Sequence, residues 1–184
     1  MRIVLLDTPC LYDGLQLSTA FIDRHAPGGG DALVAFEGEA DVPVENLVDT
    51  EDAEAGAFIR SPLMAHLIVE HRGVVPSEGT WRQRVLVRLA AHWISARCGL
   101  AVAVRGDDLF VGDGKLSVSV ATGSPRGVLI HLGINVDIEG VPVRAAGLRD
   151  LRIPPRELLG AVARAYAAEA ESVAHAVSKV RPVS

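Results

Sequence analysis

The sequence predicts an α+β fold, a largely antiparallel sheet with helices against one face. Three observations carry that prediction. Apolar, β-branched runs separated by Gly/Asp turns fill residues 100–138, two long segments carry helical spacing, and the elements run strands, helix, strands, helix. A chain of 184 residues with 49% hydrophobic content fits one domain, 1–184, able to bury its own core. Aromatics contribute only 4%, so that core must rest on Val, Leu, Ile and Ala.

Taken in order, residues 2–6 and 32–36 read as short buried strands. Between them Tyr12-Asp13-Gly14-Leu15-Gln16-Leu17 reads as a turn entering another strand. Ser18 then caps a short helix stopped by Pro27-Gly28-Gly29-Gly30. Residues 63–70 form a further strand, where His66 and His71, five apart, face opposite ways and make poor joint metal ligands. Residues 80–98 form a helix with Thr80 as N-cap and Gly99 as stop. Its apolar stripe runs through Trp81, Val85, Leu89 and Trp93, widened by Leu86, Ala90 and Ile94. Residues 155–179 form a second helix with Pro155 in its first turn. Its apolar side, Leu159, Val162, Tyr166, Ala170, Val173 and Val177, serves either packing on the sheet or a homodimer contact.

Composition narrows the function classes. The formal charge of −5 argues against broad phosphate binding, so nucleic acid is not an expected partner. Nine carboxylates and no basic residue fall between Ala26 and Ile59; without fixed ligand spacing they read as a solvated face rather than a metal site. Cys10 and Cys98 match no CxxC or zinc spacing, and two thiols suit a reducing compartment. The N-terminal apolar stretch is too short for a signal core, and no window reaches the roughly 18 apolar residues of a membrane helix. A cytoplasmic location without membrane contact is the expectation. Arg outnumbers Lys sixteen to two, and the interior Lys115 supplies a compact ammonium that a guanidinium does not replace.

The β region ends in a hairpin whose faces can be assigned by pairing. A connection at residues 123–127 sets Thr122 opposite Val128, then Val120 opposite Ile130, Val118 opposite Leu132 and Leu116 opposite Ile134, an apolar and buried face. The other face pairs Ser119 with His131, Ser117 with Gly133 and Lys115 with Asn135. It is either a sheet face turned to water or a ligand groove. In the groove, Lys115 clamps a carboxylate or phosphate while hydroxyls and Asn135 give direction. Asp13 and Gln16 reach the same groove or simply close an Asp-Gly turn. Arg82 and Arg84 bind an anion at the helix start or lie solvated. His131 is a general base or a half-buried, hydrogen-bonded histidine.

The stretches Gly106-Asp107-Asp108-Leu109, Gly112-Asp113-Gly114-Lys115-Leu116-Ser117-Val118-Ser119 and His131-Leu132-Gly133-Ile134-Asn135-Val136 resemble the core of the biotin/lipoate protein ligase-like superfamily. With Tyr12-Asp13-Gly14-Leu15-Gln16-Leu17 and Arg82-Gln83-Arg84-Val85-Leu86 added, the chain more narrowly resembles the family of domain of unknown function 366. The resemblance implies a class II synthetase-like core, a curved mixed sheet backed by helices with a ligand trough on the opposite face. It implies that Lys115 matches the lysine brought to an acyl-adenylate, that Ser117 follows it, and that Ser119 sits where small residues let an acyl chain pass. A small-molecule carboxylate, with ATP or an acyl-adenylate, is the implied ligand class. The glycine-bearing Arg loops of biotin and lipoate ligases are missing, and Thr80-Trp81-Arg82-Gln83-Arg84 offers arginines without glycines. Octanoyl transferases pair the lysine with a cysteine, and neither Cys10 nor Cys98 is an evident match. Two readings stay open, an acyl ligase or acyltransferase and a non-catalytic ligand-binding or assembly module.

Overall fold

The computed structural model describes residues 1–141 and 143–183. The chain runs β1 (Arg2–Leu5), α1 (Thr19–His25), β2 (Ala32–Val42), a 3-10 turn (Val44–Asn46), α2 (Thr50–Glu54), β3 (Ile59–Arg72) and α3 (Pro76–Cys98). It continues through β4 (Val102–Arg105), β5 (Asp108–Val111), β6 (Gly114–Lys115), β7 (Ser117–Ser124), β8 (Gly127–Asp137) and α4 (Pro155–Ser178). Five strands form the main sheet in the order β1-β2-β3-β8-β7, and β4-β5-β6 form a second, small sheet. Only the β1–β2 pair is parallel among the paired strands of the main sheet, so the fold is mixed and largely antiparallel α+β, as expected.

Strand alternation divides the main sheet into two apolar faces. Leu33, Ala35, Leu67, Val69, Ile130, Leu132 and Ile134 point to one side, where α3 and α4 bury them. Val34, Phe36, Ile68 and Leu129 point to the other, where α1 supplies Phe21 and Ile22. α1 is short, and the rest of that second face is left for a trough. Ser18 caps α1 through its side chain, which accepts from the Phe21 N–H.

Four expectations need correction. First, β7 is displaced by one residue: Val120 lies opposite His131 and Val118 opposite Gly133, while Ser119 meets Leu132 and Ser117 meets Ile134. The strands run on to Ser124 and Gly127, so the hairpin turn is just Pro125-Arg126 rather than residues 123–127. The polar face of β8 is as expected, but β7 pairs valines with it, and its serine hydroxyls bond to Gln83 of α3 and the Leu109 N–H of β5. Second, Tyr12 is followed by a turn and α1, with no strand between; it only bridges Ala40.

Third, α3 begins at Pro76, a turn before Thr80, whose hydroxyl donates to the Pro76 carbonyl. Its buried side runs Gly79, Gln83, Leu86, Val87, Ala90, Ala91 and Ile94, and Trp81 is 75% exposed. Close approach decides the face: a Cβ on Gly79 would meet Val128 at 2.8 Å, so the helix seats its small residues on the sheet and turns the tryptophan out. Gly99, at φ 74°, ends the helix as expected. Fourth, α4 packs only through its first half. Burial stops at Ala167, and Val173 and Val177 are exposed beyond the sheet. No helix among the described residues is long and apolar enough to cross a membrane.

Candidate functional site

The uncovered part of the second sheet face forms a trough of about 390 Å³. Tyr12, Met64, His131 and Asn135 lie along its floor. The 3-10 turn, α2 and the segment into β3 wall one side with Asp49, Asp52, Phe58 and Arg60; Asp107, Asp108 and Lys115 wall the other.

Lys115 stands where β6 ends and the chain breaks at Leu116 before entering the main sheet as β7. Its backbone is held on both sides: its N–H donates to the Arg144 carbonyl, and its carbonyl accepts from the Ala146 N–H and, at 3.2 Å, from the Asn135 side-chain amide. Its ammonium sits 2.8 Å from Asp108 Oδ2, with both side chains about one-third exposed. Burial pushes the Asp108 carboxyl above its ordinary range, and Asp107 and Asp52 add to that, while Lys115 pulls it down. Asp107 is fully engaged, accepting from Gln83 and Arg84 of α3.

A chain of hydrogen bonds crosses the floor. His66 Nε2 faces the Gly38 carbonyl at 3.2 Å, and His66 Nδ1 faces His131 Nε2 at 3.1 Å. Tyr12 stacks on the His131 ring with centroids 3.9 Å apart. Burial depresses His66 to about 4 despite the Gly38 carbonyl, and burial together with His66 holds His131 well below its ordinary value, so both rings are neutral near pH 7. Gly133 permits this arrangement, since a Cβ there would meet Met64 at 2.9 Å and the His131 ring at 3.1 Å.

Lys115, His131 and Asn135 line the trough with Gly133 beside the His131 ring, Ser117 and Ser119 line it too, and the other candidates do not. The hydroxyls of the two serines are engaged within the protein, Ser117 accepting from the Leu109 N–H and Ser119 from Gln83. Asp13 accepts from the Leu15 N–H and Gln16 from the Asp13 N–H, so these two close their own turn. Arg84 holds Asp107, and Arg82 is bound to Glu78 and approaches Asp31 at the far end of the sheet; neither is at the start of α3. Burial and Asp13 raise the Cys10 thiol, and Cys10 does not line the trough. Among the described residues no group of three or more His, Cys, Asp or Glu is placed to hold a metal.

Sequence reasoning missed Tyr12, His66 and Asp108. A signal existed for Asp108: the turn at Gly112-Asp113 pairs Phe110 with Lys115, which brings the start of β5 alongside the lysine. His66 could be found only by pairing β3 with β8, where it lies opposite Gly133 and diagonal to His131.

A family profile described as domain of unknown function (DUF366) matches residues 1–181. The chain belongs to the DUF366 family. An uncharacterized protein of Methanocaldococcus jannaschii is 30% identical over 190 residues, covering 100% of this chain and 86% of the relative. A solved structure, a protein of unknown function from Pyrococcus horikoshi, superposes with TM-score 0.95 at 34% identity over the full length of both chains. More distant neighbours show the shared fold. Biotin protein ligase from Aquifex aeolicus, in complex with biotin and ATP, gives TM-score 0.60 at 12% identity over 90% of this chain and 68% of the ligase. Lipoate-protein ligase A bound with ATP gives 0.55 at 16% identity over 89% and 82%. The DUF366 chain therefore has a biotin/lipoate ligase-like fold, as its residues suggested.

Proposed function

We propose that this DUF366 protein binds a small carboxylic acid, or its acyl-adenylate, in the trough, with Lys115 as the electrostatic group that receives the anionic end. The observation that carries the reading is the partly exposed Lys115 ammonium on the trough wall, on a backbone held by the Asn135 amide and by residues 144 and 146. A fixed cation at the mouth of a half-apolar channel attracts a carboxylate and offsets charge on an α-phosphate as an acyl group forms or leaves. Asp108 holds the ammonium in place until a ligand arrives. Neighbouring ligases of this fold are described with biotin or ATP bound, which supports the ligand class.

A second reading rests on one observation, the carboxylates Asp49, Asp52, Asp107 and Asp108 that line the same trough as Lys115. They oppose a triphosphate and favour a module that holds an acid without turning it over. Calorimetric titration with biotin, lipoate, octanoate and their adenylates, with and without Lys115→Ala, tests the first proposal. Binding that survives Lys115→Ala unchanged overturns the role of the lysine. ATP-dependent release of pyrophosphate in the presence of a bound acid separates the ligase from the module.

A further inference from the structure

The outer side of α3 has a composition unlike the rest of the chain. The protein carries 23 carboxylates against 18 basic residues, yet residues 79–98 contain no Asp or Glu and hold Arg82, Arg84, Arg88, His92 and Arg97. Three of those arginines are engaged within the protein, Arg82 with Glu78, Arg84 with Asp107 and Arg97 with Glu157. Arg88 is exposed and has no ion-pair or hydrogen-bond partner among the described residues. Trp81, Val85, Arg88 and His92 recur at helical spacing and are all exposed, so they share the solvent face of the helix. Trp81 is the extreme case, at 75%.

Between this face and the turn joining β4 to β5 runs a groove of about 390 Å³, lined by Trp81, Arg84, Val85, Arg88 and Gly106. Gly106 shapes its far wall: it sits at φ 65°, and a Cβ there would meet the Arg84 guanidinium at 3.0 Å. The trough shares none of these five residues, so the groove is a separate feature. Packing of the sheet does not account for the tryptophan, because Gly79, Leu86, Ala90 and Ile94 seat the opposite side of the helix. Tryptophan and arginine are the side chains enriched at the anchors of protein interfaces. Here one of each lies uncommitted on the same helix face.

We propose that this groove docks an acidic segment of a partner protein, which presents a carboxylate to Arg88 and an apolar side chain to Trp81 and Val85. Charge decides the class of partner. The groove holds an unpaired cation and no carboxylate in its lining, while the chain as a whole stands at −5. A nucleic acid or an anionic membrane needs a broad basic surface and would be opposed by that surrounding acid. A short segment that alternates carboxylates with apolar residues fits the arrangement on α3. There Trp81 and Arg88 are seven residues apart, roughly 10 Å along the helix axis at about 1.5 Å per residue. The proposal is independent of what the trough binds.

The test is selection of a random dodecapeptide library on the immobilised protein, followed by titration of the recovered peptides. These should be rich in Asp and Glu, with Leu, Ile or Phe among them. In Trp93→Phe protein Trp81 is the sole tryptophan, and adding a selected peptide that lacks tryptophan should move its emission to shorter wavelength as the ring leaves water. Arg88→Glu should weaken binding at least about tenfold and Trp81→Ala at least about thirtyfold. Both are surface changes, so urea unfolding should stay as in the unaltered protein. An empty selection, peptides without acidic bias, or acidic peptides that bind Arg88→Glu as tightly as the unaltered protein overturn the proposal. Duplex DNA or phosphatidylglycerol vesicles that bind the unaltered protein but not Arg88→Glu, with no acidic peptide recovered, overturn it as well, because the face then serves a different class of partner.

Discussion

Two histidines five residues apart on β3 end up in opposite kinds of polar cluster. His71 faces the helices and uses both ring nitrogens: Nδ1 lies 2.6 Å from Asp31 and Nε2 lies 2.7 Å from the Tyr166 hydroxyl of α4. Around it, burial works against the charge of Asp31, but bonds from His71 and the Arg72 N–H hold its carboxyl below the ordinary range. Buried Glu70, on the other face of that end of the sheet, is met by Arg72 and Arg126. Nearly every group there has a partner within the protein. His66 belongs to a chain that stops at His131, on the floor of a cavity. A closed network secures the fold, whereas an open one leaves bonding capacity for something else.

The largest effect expected from this contrast is on stability at the closed end. His71→Ala leaves the buried Tyr166 hydroxyl without its partner, removes one bond from Asp31 and opens a void, so it should cost about 4 kcal/mol in urea unfolding. Acid binding in the trough should stay within about twofold. A loss of under about 1 kcal/mol would break the comparison, because the network would then not be structural.

The open cluster should be visible in pH dependence. His66 titrates near 4 in the folded protein and near 6.5 when unfolded, so between those values the unfolded chain binds more protons. Its contribution is complete above pH 6.5 and declines as pH falls toward 4, by about 3 kcal/mol in all. In parallel unfolding series, His66→Phe should flatten that part of the profile; identical slopes would show that the ring is not held neutral.

Smaller effects follow at the trough walls and beneath them. Lys115→Ala should weaken acid binding at least about tenfold, roughly 1.4 kcal/mol, yet change stability by less than about 1 kcal/mol, since its ion pair with Asp108 is partly solvated. Ser119→Ala should do the reverse. It should cost about 1 kcal/mol by removing an acceptor from Gln83 and leave acid affinity within about twofold. A loss of acid binding in Ser119→Ala would show that its hydroxyl serves the trough it lines.

The register of β7 shows how far a sequence of this kind can be read. The fold class, both long helices and the division of β8 into apolar and polar faces were legible, because period-2 alternation and helical spacing are local signals. The pairing partner was not. In β7 serines alternate with valines, and polarity suggests that the serines face outward. The structure instead satisfies both hydroxyls, from Gln83 and the Leu109 backbone, and sets the valines opposite His131 and Gly133. Nothing local distinguishes a serine bonded beneath a helix from one facing water, and the two-residue Pro125-Arg126 turn is easily absorbed into a longer loop. Trp81 misled for a related reason, since the widest apolar residue looks like the buried one until backbone distance favours alanine and glycine. The candidate site was half legible, its lysine, histidine and asparagine on sequence patterns, its aspartate through a hairpin pairing that was not followed up, and its second histidine only in three dimensions.

Gly38 joins two of these features. Its carbonyl fixes the His66 proton, and a Cβ at the same residue would strike the Cys10 carbonyl at 1.8 Å, where the chain crosses on its way to Tyr12. The proton position on the cavity floor is thus written into main-chain atoms of β2, which no mutation can exchange for another element. Lineages carrying this fold can resize the chamber by altering its side walls, but reversing that proton position would require rerouting the N-terminal crossing itself.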